Sequence, residues 1–481
     1  MTFTRRVVSG SAQLTIGNGL VRLISIVTMP ILTDWLSPES YGVAALAGTI
    51  VSIGSVIALA GIDTVYLRVY HSTQPPSGSS AEHFCWRFSV LNSLVAAMLS
   101  GIAWHFLSGH SVDPAHYLAI LVAAGTLFSV LCTMSQLRAL LDGRHRTLAI
   151  VTVVTGALAA MASIGIAVWE RGVLALLLPM LLGYLLPLLL LGAPRVADLS
   201  RPSRLSWGEG WELVKIGLAG VITAPMYWLL TSSDRWFLER FHGVNAVGVY
   251  SVGYSVSMVG MMIIGPVMAV WQPESAREYE ADQVRARVTV GKLMSRLIAL
   301  MGIIWLAVTA AGGDVVRWFA NERFHAAAEY VPYIAGAVFF YGVLRLATTG
   351  LFMAKELKWA AFWWLIGGIV CMLLNFTLVP TLGGKGAAIT QSISFGLITV
   401  GVFASAQSRF RVDLNWPRLA PVMLALFVAG IYLSPAWHRS APVSLLMKLP
   451  VGIALAVGVA WVMAPDWCAR GIYLLRRRAL P

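Results

Sequence analysis

LTIGNGLVRLISIVTMPILTDWLSPESYGV, residues 14–43, decides how the rest of the chain is read. It is apolar enough to cross a bilayer, whose hydrocarbon core takes about 20 helical residues. It carries Arg22 inside and Pro30 a little further on. A charged side chain at the centre of a spanning helix costs at least about 2.5 to 3.5 kcal/mol on insertion scales, so it turns to protein or to a watery cavity rather than to lipid. Arg22 therefore predicts a polar interior. The stretch also has a second copy: a shift of 206 positions lays Leu32, Trp35, Gly42 and Val43 over Leu238, Phe241, Gly248 and Val249. Two copies imply two halves facing a shared interior.

The composition agrees. Hydrophobic residues make up 58% of the 481 and charged residues 12%, and the mean hydropathy is +0.75, outside the range of a water-soluble globular chain. The expected class is an all-α integral membrane protein. The first apolar stretch is longer than a signal-peptide core and reads as a retained span. The four cysteines, Cys85, Cys132, Cys371 and Cys468, are scattered without metal-ligand spacing, so neither a disulfide nor a metal role is expected.

Apolar runs of about 20 residues number fourteen. They fall near 12–34, 43–66, 88–107, 117–137, 148–169, 173–193, 213–232, 247–271, 293–312, 330–353, 359–379, 386–407, 419–437 and 443–464. With the amino terminus in the cytoplasm, 23 of the 35 Lys and Arg fall on the inner side, 7 on the outer side, and the rest within the runs. That asymmetry places both termini inside. The net charge of +13 is thus mostly a topology signal, met by anionic head groups at the inner leaflet rather than by nucleic acid. Residues 194–212 and 272–292 are the longest loops, both cytoplasmic, and the tail WCARGIYLLRRR reads as a short basic segment on the inner leaflet.

The offset carries spans one to six onto seven to twelve. An even number of crossings separates the copies, so they should be related by an axis along the membrane normal. The expected organisation is a lobe over 1–194, a cytoplasmic linker over 195–212, a second lobe over 213–410, and two extra spans with a basic tail over 411–481. The repeat also overrides the hydropathy window at span seven: 12–34 maps onto 218–240, so this helix should run on through TSSDRWFLERF and carry Asp234 and Arg235 into the outer part of the membrane.

Three segments are specific enough to name a family: LVRLISIVTMPILTDWLSPESYGVAAL, SSDRWFLERFHGVNAVGVYSVGYSV, and NFTLVPTLGGKGAAITQSIS from Asn375 to Ser394. In order and spacing the chain resembles the polysaccharide biosynthesis flippases, the Wzx-type lipid-linked oligosaccharide transporters of the multidrug/oligosaccharidyl-lipid/polysaccharide (MOP) superfamily. The resemblance implies twelve core helices in two lobes plus two carboxy-terminal helices. It implies movement of an undecaprenyl-diphosphate-linked oligosaccharide from the inner to the outer leaflet of the bacterial cytoplasmic membrane, for exopolysaccharide or O-antigen assembly. Its partners would be that polyprenyl-diphosphate-linked sugar, membrane lipids, and a polysaccharide polymerase with other assembly proteins; no nucleic acid and no cofactor are expected.

Moving such a head group across hydrocarbon calls for a polar, cationic lumen. Guanidinium suits it, because it offers a planar fork of donors and stays charged when buried. Arg22, Arg235, Arg296 and Arg345 are the embedded candidates. Arg22 stands first, with a structural salt bridge as its alternative. Arg296 is close enough to the inner end to snorkel, and Arg68 and Arg87 border the inner mouth. Asp63 and Asp234 would pair with these arginines or hold a coupling proton or sodium ion. Asn18 and Asn375 would hydrogen-bond sugar, or else neighbouring helices. Most tryptophans fit an interfacial belt; Trp228 and Tyr227 lie deeper and are candidates for stacking on a sugar ring.

No zincin, phosphate-loop, D-x-D or nucleophile-elbow motif occurs, so the chain reads as a transporter rather than an enzyme. Three alternatives stand beside the flippase reading. A cation-coupled multidrug exporter would want more carboxylate than arginine in its spans. A membrane polymerase or ligase would want a large outer loop. A lipid II flippase would share the cationic lumen.

Overall fold

The computed structural model describes residues 19–21, 23–69, 78–107, 116–192 and 207–465. Asn18, Arg22, residues 195–206 of the expected linker and the basic tail from residue 466 lie outside the described residues, as does the side chain of Arg68. Among the described residues there is no β-strand. Ten of their helices are long and apolar enough to cross a membrane, eleven if one bent pair counts as a span. The all-α, multi-span architecture read from the apolar runs is therefore present, with fewer of the described helices meeting the length and hydropathy of a span than the fourteen runs expected.

By its contacts the chain divides into two compact units, one of them Gly17–Ser251 and the other containing Val252–Pro481. The lobes drawn from the repeat are a statement about symmetry, whereas these units are a statement about contact.

In the first unit, α1 covers residues 23–35 and ends where Leu36 and Ser37 leave the helix. Ser37 caps the next helix, α2 (Pro38–Leu59), by accepting from the Ser40 N–H, with Pro38 in the first turn, where its missing N–H costs nothing. The run read as one span over 43–66 is in fact two helices. Ala60 and Gly61 both take positive φ, a break that ends α2 and starts α3 (Ile62–Val69). There follow α4 (Gly78–Leu107), α5 (His116–Leu141), α6 (His145–Trp169) and α7 (Leu174–Leu191). On α4 the stripe Leu91, Leu94, Val95 and Met98 is more than half exposed, at the i, i+3, i+4, i+7 spacing of a lipid-facing surface. Tyr66, Cys85, Trp86, Met134 and Leu213 form a buried cluster.

Helix α8 (Trp207–Ser257) continues unbroken through TSSDRWFLERF to a kink at Gly243, whose φ of 79° is open to glycine. Hydropathy alone would have stopped this helix near residue 232; the repeat carried it further, and the helix does run on. The kink at Gly243 is the repeat mate of the break at Ser37, because both sit one residue before a matched pair of helix starts, Pro38 and Val244.

In the second unit, α9 (Met261–Ala281) and α10 (Gln283–Phe319) replace most of the expected 272–292 loop with helix, and Asp282 between them caps α10 through the Val284 and Arg285 N–H groups. A short 3₁₀ turn over Glu322–Glu329 leads into α11 (Val331–Met353). Helix α12 (Lys358–Arg409) bends at Gly383 into two arms, each long enough at about 1.5 Å per residue to span a bilayer. The last two helices, α13 (Trp416–Leu433) and α14 (Ala441–Met463), both pack on α10.

Candidate functional site

In the first unit the two charges carried by the extended seventh span are fastened to each other. Asp234 is 2% exposed; its Oδ1 accepts from the Arg235 backbone N–H at 2.9 Å, and its Oδ2 accepts from the Tyr250 hydroxyl at 2.5 Å. The Arg235 guanidinium donates to the Thr231 carbonyl at 2.7 Å, lies 3.5 Å from Asp234 Oδ1, and stands 5.8 Å from the centre of the Tyr250 ring. Carboxylate, guanidinium and phenol thus close on one another in a buried knot. Asp234 finds its arginine one residue away, a pairing that needs no second helix.

Asp63 is half-buried in the first turn of α3, and among the described residues it makes no ion pair. Close by in sequence, the Tyr66 hydroxyl donates to Glu82 at 3.1 Å and Arg138 pairs with the same carboxylate at 3.3 Å. Neither Glu82 nor its two partners stood out in the sequence, where Arg138 counted only towards topology. Trp228, a candidate for sugar stacking, donates its indole N–H to the Thr49 carbonyl, and Trp236 donates to the Thr49 hydroxyl, each at 2.9 Å.

In the second unit Arg345 is exposed on α11, and among the described residues it makes no ion pair. Asn375 is fully buried on α12, its amide donating to Cys371 Sγ one turn back at 3.6 Å. Arg296 donates to the Met463 carbonyl at 3.2 Å, at the end of α14, where a cation meets the negative pole of the helix.

A second charged cluster lies between α10 and α14. Lys448, 3% exposed, donates to Asp314 Oδ2 at 2.7 Å and to the Ala310 carbonyl at 3.1 Å. Ser444 donates to the same oxygen at 3.0 Å, and Arg317 stands 3.4 Å from the other. Lys448 falls within the fourteenth apolar run and Asp314 just past the ninth, and neither stood out as a site candidate in the sequence. The available signal was one acid near the end of the ninth span and one lysine inside the fourteenth, each of which demands a partner in a membrane.

A partly open cavity of about 430 Å³ lies among α10, α11, the second arm of α12 and α13. Trp305 stacks on Phe427, ring centres 6.2 Å apart and planes 9° from parallel, and Phe339, Phe340 and Tyr333 complete an aromatic wall. The volume falls within the range of about 300 to 1,000 Å³ typical of ligand pockets. Trp305, not singled out among the tryptophans of the sequence, lines this cavity, and Gly430 leaves the room for its ring.

The sequence model of a family described as "Polysaccharide biosynthesis protein" matches residues 31–313, more than half of the chain. No curated protein matches. Among solved structures, the chain is similar to a lipid II flippase MurJ in an inward closed conformation, with 12% identity over 95% of this chain and 99% of that one and a TM-score of 0.71. It is similar to an inward-facing multidrug resistance MATE family transporter of the MOP superfamily, with 16% identity over 88% and 98% and a TM-score of 0.64. A MOP superfamily transporter from Pyrococcus furiosus shares 16% identity over 85% and 96%, with a TM-score of 0.57. At these identities the likeness is one of fold.

Proposed function

The chain belongs to the polysaccharide biosynthesis protein family, and from that premise we propose that it is a flippase carrying a polyprenyl-diphosphate-linked oligosaccharide from the inner to the outer leaflet of the cytoplasmic membrane. The observation that supports this reading best is the aromatic-walled cavity beside α13. An isoprenoid chain is apolar, branched and unsaturated, and a wall of Trp, Phe and Tyr offers it extensive apolar contact. A cationic drug would prefer carboxylates, yet the two most buried acids in the described spans, Asp234 and Asp314, are both engaged by cations.

On this reading the diphosphate is met by arginine. Arg22 remains the leading residue, with Arg345 as an exposed cation on α11 and Arg68 at the inner mouth; Asn18 and Asn375 are the candidates for hydrogen-bonding sugar. Arg235 and Asp234 brace each other and act as structure around the path. The lobes over 1–194 and 213–410 alternate access to it, both termini remain cytoplasmic, and a polymerase takes the delivered repeat unit.

The test is binding of a lipid-linked oligosaccharide to the purified protein, followed by native mass spectrometry. Retention of the lipid-linked form over the same sugar diphosphate without its tail, weakened by Phe427→Ala, is expected. Equal retention of lipid II would favour the lipid II flippase reading, and retention of cationic dyes alone would contradict the proposal.

A further inference from the structure

The aromatic cavity of the second unit has a polar end. Thr309 lines it, one turn beyond Trp305 on α10, and is 2% exposed. Among the described residues its hydroxyl has no hydrogen-bond partner. Burying a hydroxyl unpartnered is costly, and threonines in helices commonly spend theirs on a carbonyl three or four residues back, as Thr28, Thr33 and Thr49 do here. The nearby Ser392 is already engaged, donating to the Tyr333 carbonyl at 2.6 Å. Thr309 therefore holds an unused hydroxyl against the cavity.

A cation stands at the same end. Lys385 follows the bend at Gly383 in α12, and its ammonium lies 5.9 Å from the centre of the Tyr333 ring, which is part of the cavity wall. Among the described residues Lys385 makes no ion pair. Pro332 and Pro435, also in the wall, sit in the first turn of α11 and just past the end of α13, so this end of the cavity lies where the helices stop. The charge asymmetry puts those helix ends on the outer side, with Trp305, Phe427 and Phe339 deeper in the membrane. A matching ligand is apolar inside, offers an acceptor at the level of Thr309, and is anionic at the mouth. A prenyl chain ending in phosphate has that order of parts, and an ammonium is a good point-charge partner for phosphate. A neutral prenol would leave Lys385 unmet, and a cationic amphiphile would be repelled by it.

We propose that Thr309 and Lys385 form a phosphate-binding end of the aromatic cavity, which holds a phosphorylated polyprenyl lipid with its head on the outer side, as the lipid stands once it has crossed. That this lipid is the cargo rests on the flippase reading; the phosphate end and the orientation rest on Thr309 and Lys385.

The test reads protection of Lys385. By the topology above it is the one lysine on the outer side, since Lys292, Lys355 and Lys358 fall on the inner side and Lys215 and Lys448 within apolar runs. In phosphatidylcholine proteoliposomes, a membrane-impermeant amine reagent applied from the outer side should modify Lys385, read by mass spectrometry of its peptide. Undecaprenyl phosphate at ten times its Kd should slow the modification about tenfold, and undecaprenol should not. Binding followed by native mass spectrometry should weaken by about tenfold or more in Lys385→Met and return in Lys385→Arg. Thr309→Val should weaken it by about two- to tenfold and leave the ligand-free protein at least as stable, because no bond is lost. Equal protection by undecaprenol would remove the phosphate end, and equal protection by phosphatidylglycerol would make the cavity a site for bilayer lipid; either overturns the proposal. So does Thr309→Val protein that is less stable and binds unchanged. The protection assay needs no variant, so it decides the matter even if Thr309→Val or Lys385→Met fails to fold. Phosphate-dependent protection in protein that moves no lipid-linked sugar would support the site and count against the flippase reading alone.

Discussion

Removing Asp314 should damage the protein far more than removing its partner Lys448. In Asp314→Ala, the Lys448 ammonium keeps one acceptor, the Ala310 carbonyl at 3.1 Å, and stays 97% buried by the complement of its 3% exposure. Breaking a buried pair from the side that leaves a lone charge costs about 3 to 5 kcal/mol, and an unpaired ammonium in a span is among the costlier groups to hold there. In Lys448→Met, by contrast, the carboxylate retains Ser444 at 3.0 Å and Arg317 at 3.4 Å, so the loss should be about 1 to 3 kcal/mol. The double variant Asp314→Ala/Lys448→Met removes both charges and should recover most of the difference, with a coupling energy of about 2 to 3 kcal/mol. Reversible unfolding in detergent, read by tryptophan fluorescence across the four proteins, gives the cycle. A coupling below about 0.5 kcal/mol, or an Asp314→Ala protein as stable as Lys448→Met, would refute the claim that this pair fastens α14 to α10.

Two smaller effects follow from the same kind of reasoning. Tyr250→Phe deletes the donor 2.5 Å from Asp234 Oδ2, a bond to a charged acceptor worth about 1.5 to 3 kcal/mol, so thermal unfolding should shift down while topology is unchanged; an unshifted midpoint would mean that the carboxylate is satisfied without it. Gly430→Leu drives a side chain into the Trp305 ring, which lies 2.5 Å from the position of a Cβ. It should weaken binding of the lipid-linked sugar by about tenfold, roughly 1.4 kcal/mol, without weakening that of a tail-free sugar diphosphate; equal loss of both would remove the cavity from the binding path.

Much of the fold was legible because hydropathy and the internal repeat are properties of a single line of sequence. The run 231–241 shows how they differ: its charges defeat a hydropathy window, while its match to α1 predicts a helix, and α8 continues there. The break at Ala60 and Gly61 was missed because the run on either side stays apolar, and only the backbone angles show it. Pairing between distant helices was the least legible. Asp314 and Lys448 lie 134 residues apart, and nothing in either neighbourhood says which faces of α10 and α14 meet. Trp305 fails for a similar reason, since an indole inside an apolar run looks the same in sequence whether it faces lipid or a cavity. Asp234 was simpler: its cation was adjacent, and burial of the local knot with Tyr250 needed only the turn at Gly243.

The central claim is transport, and the direct measurement is leaflet-resolved movement of a lipid-linked oligosaccharide in proteoliposomes of the purified protein, with and without Arg22→Gln. The account predicts movement that requires the protein and falls by about tenfold or more when the charged donor to the diphosphate is lost. No movement of any lipid-linked sugar, together with uptake of a cationic dye under a proton or sodium gradient, would contradict it and make Asp63 the acid to examine next.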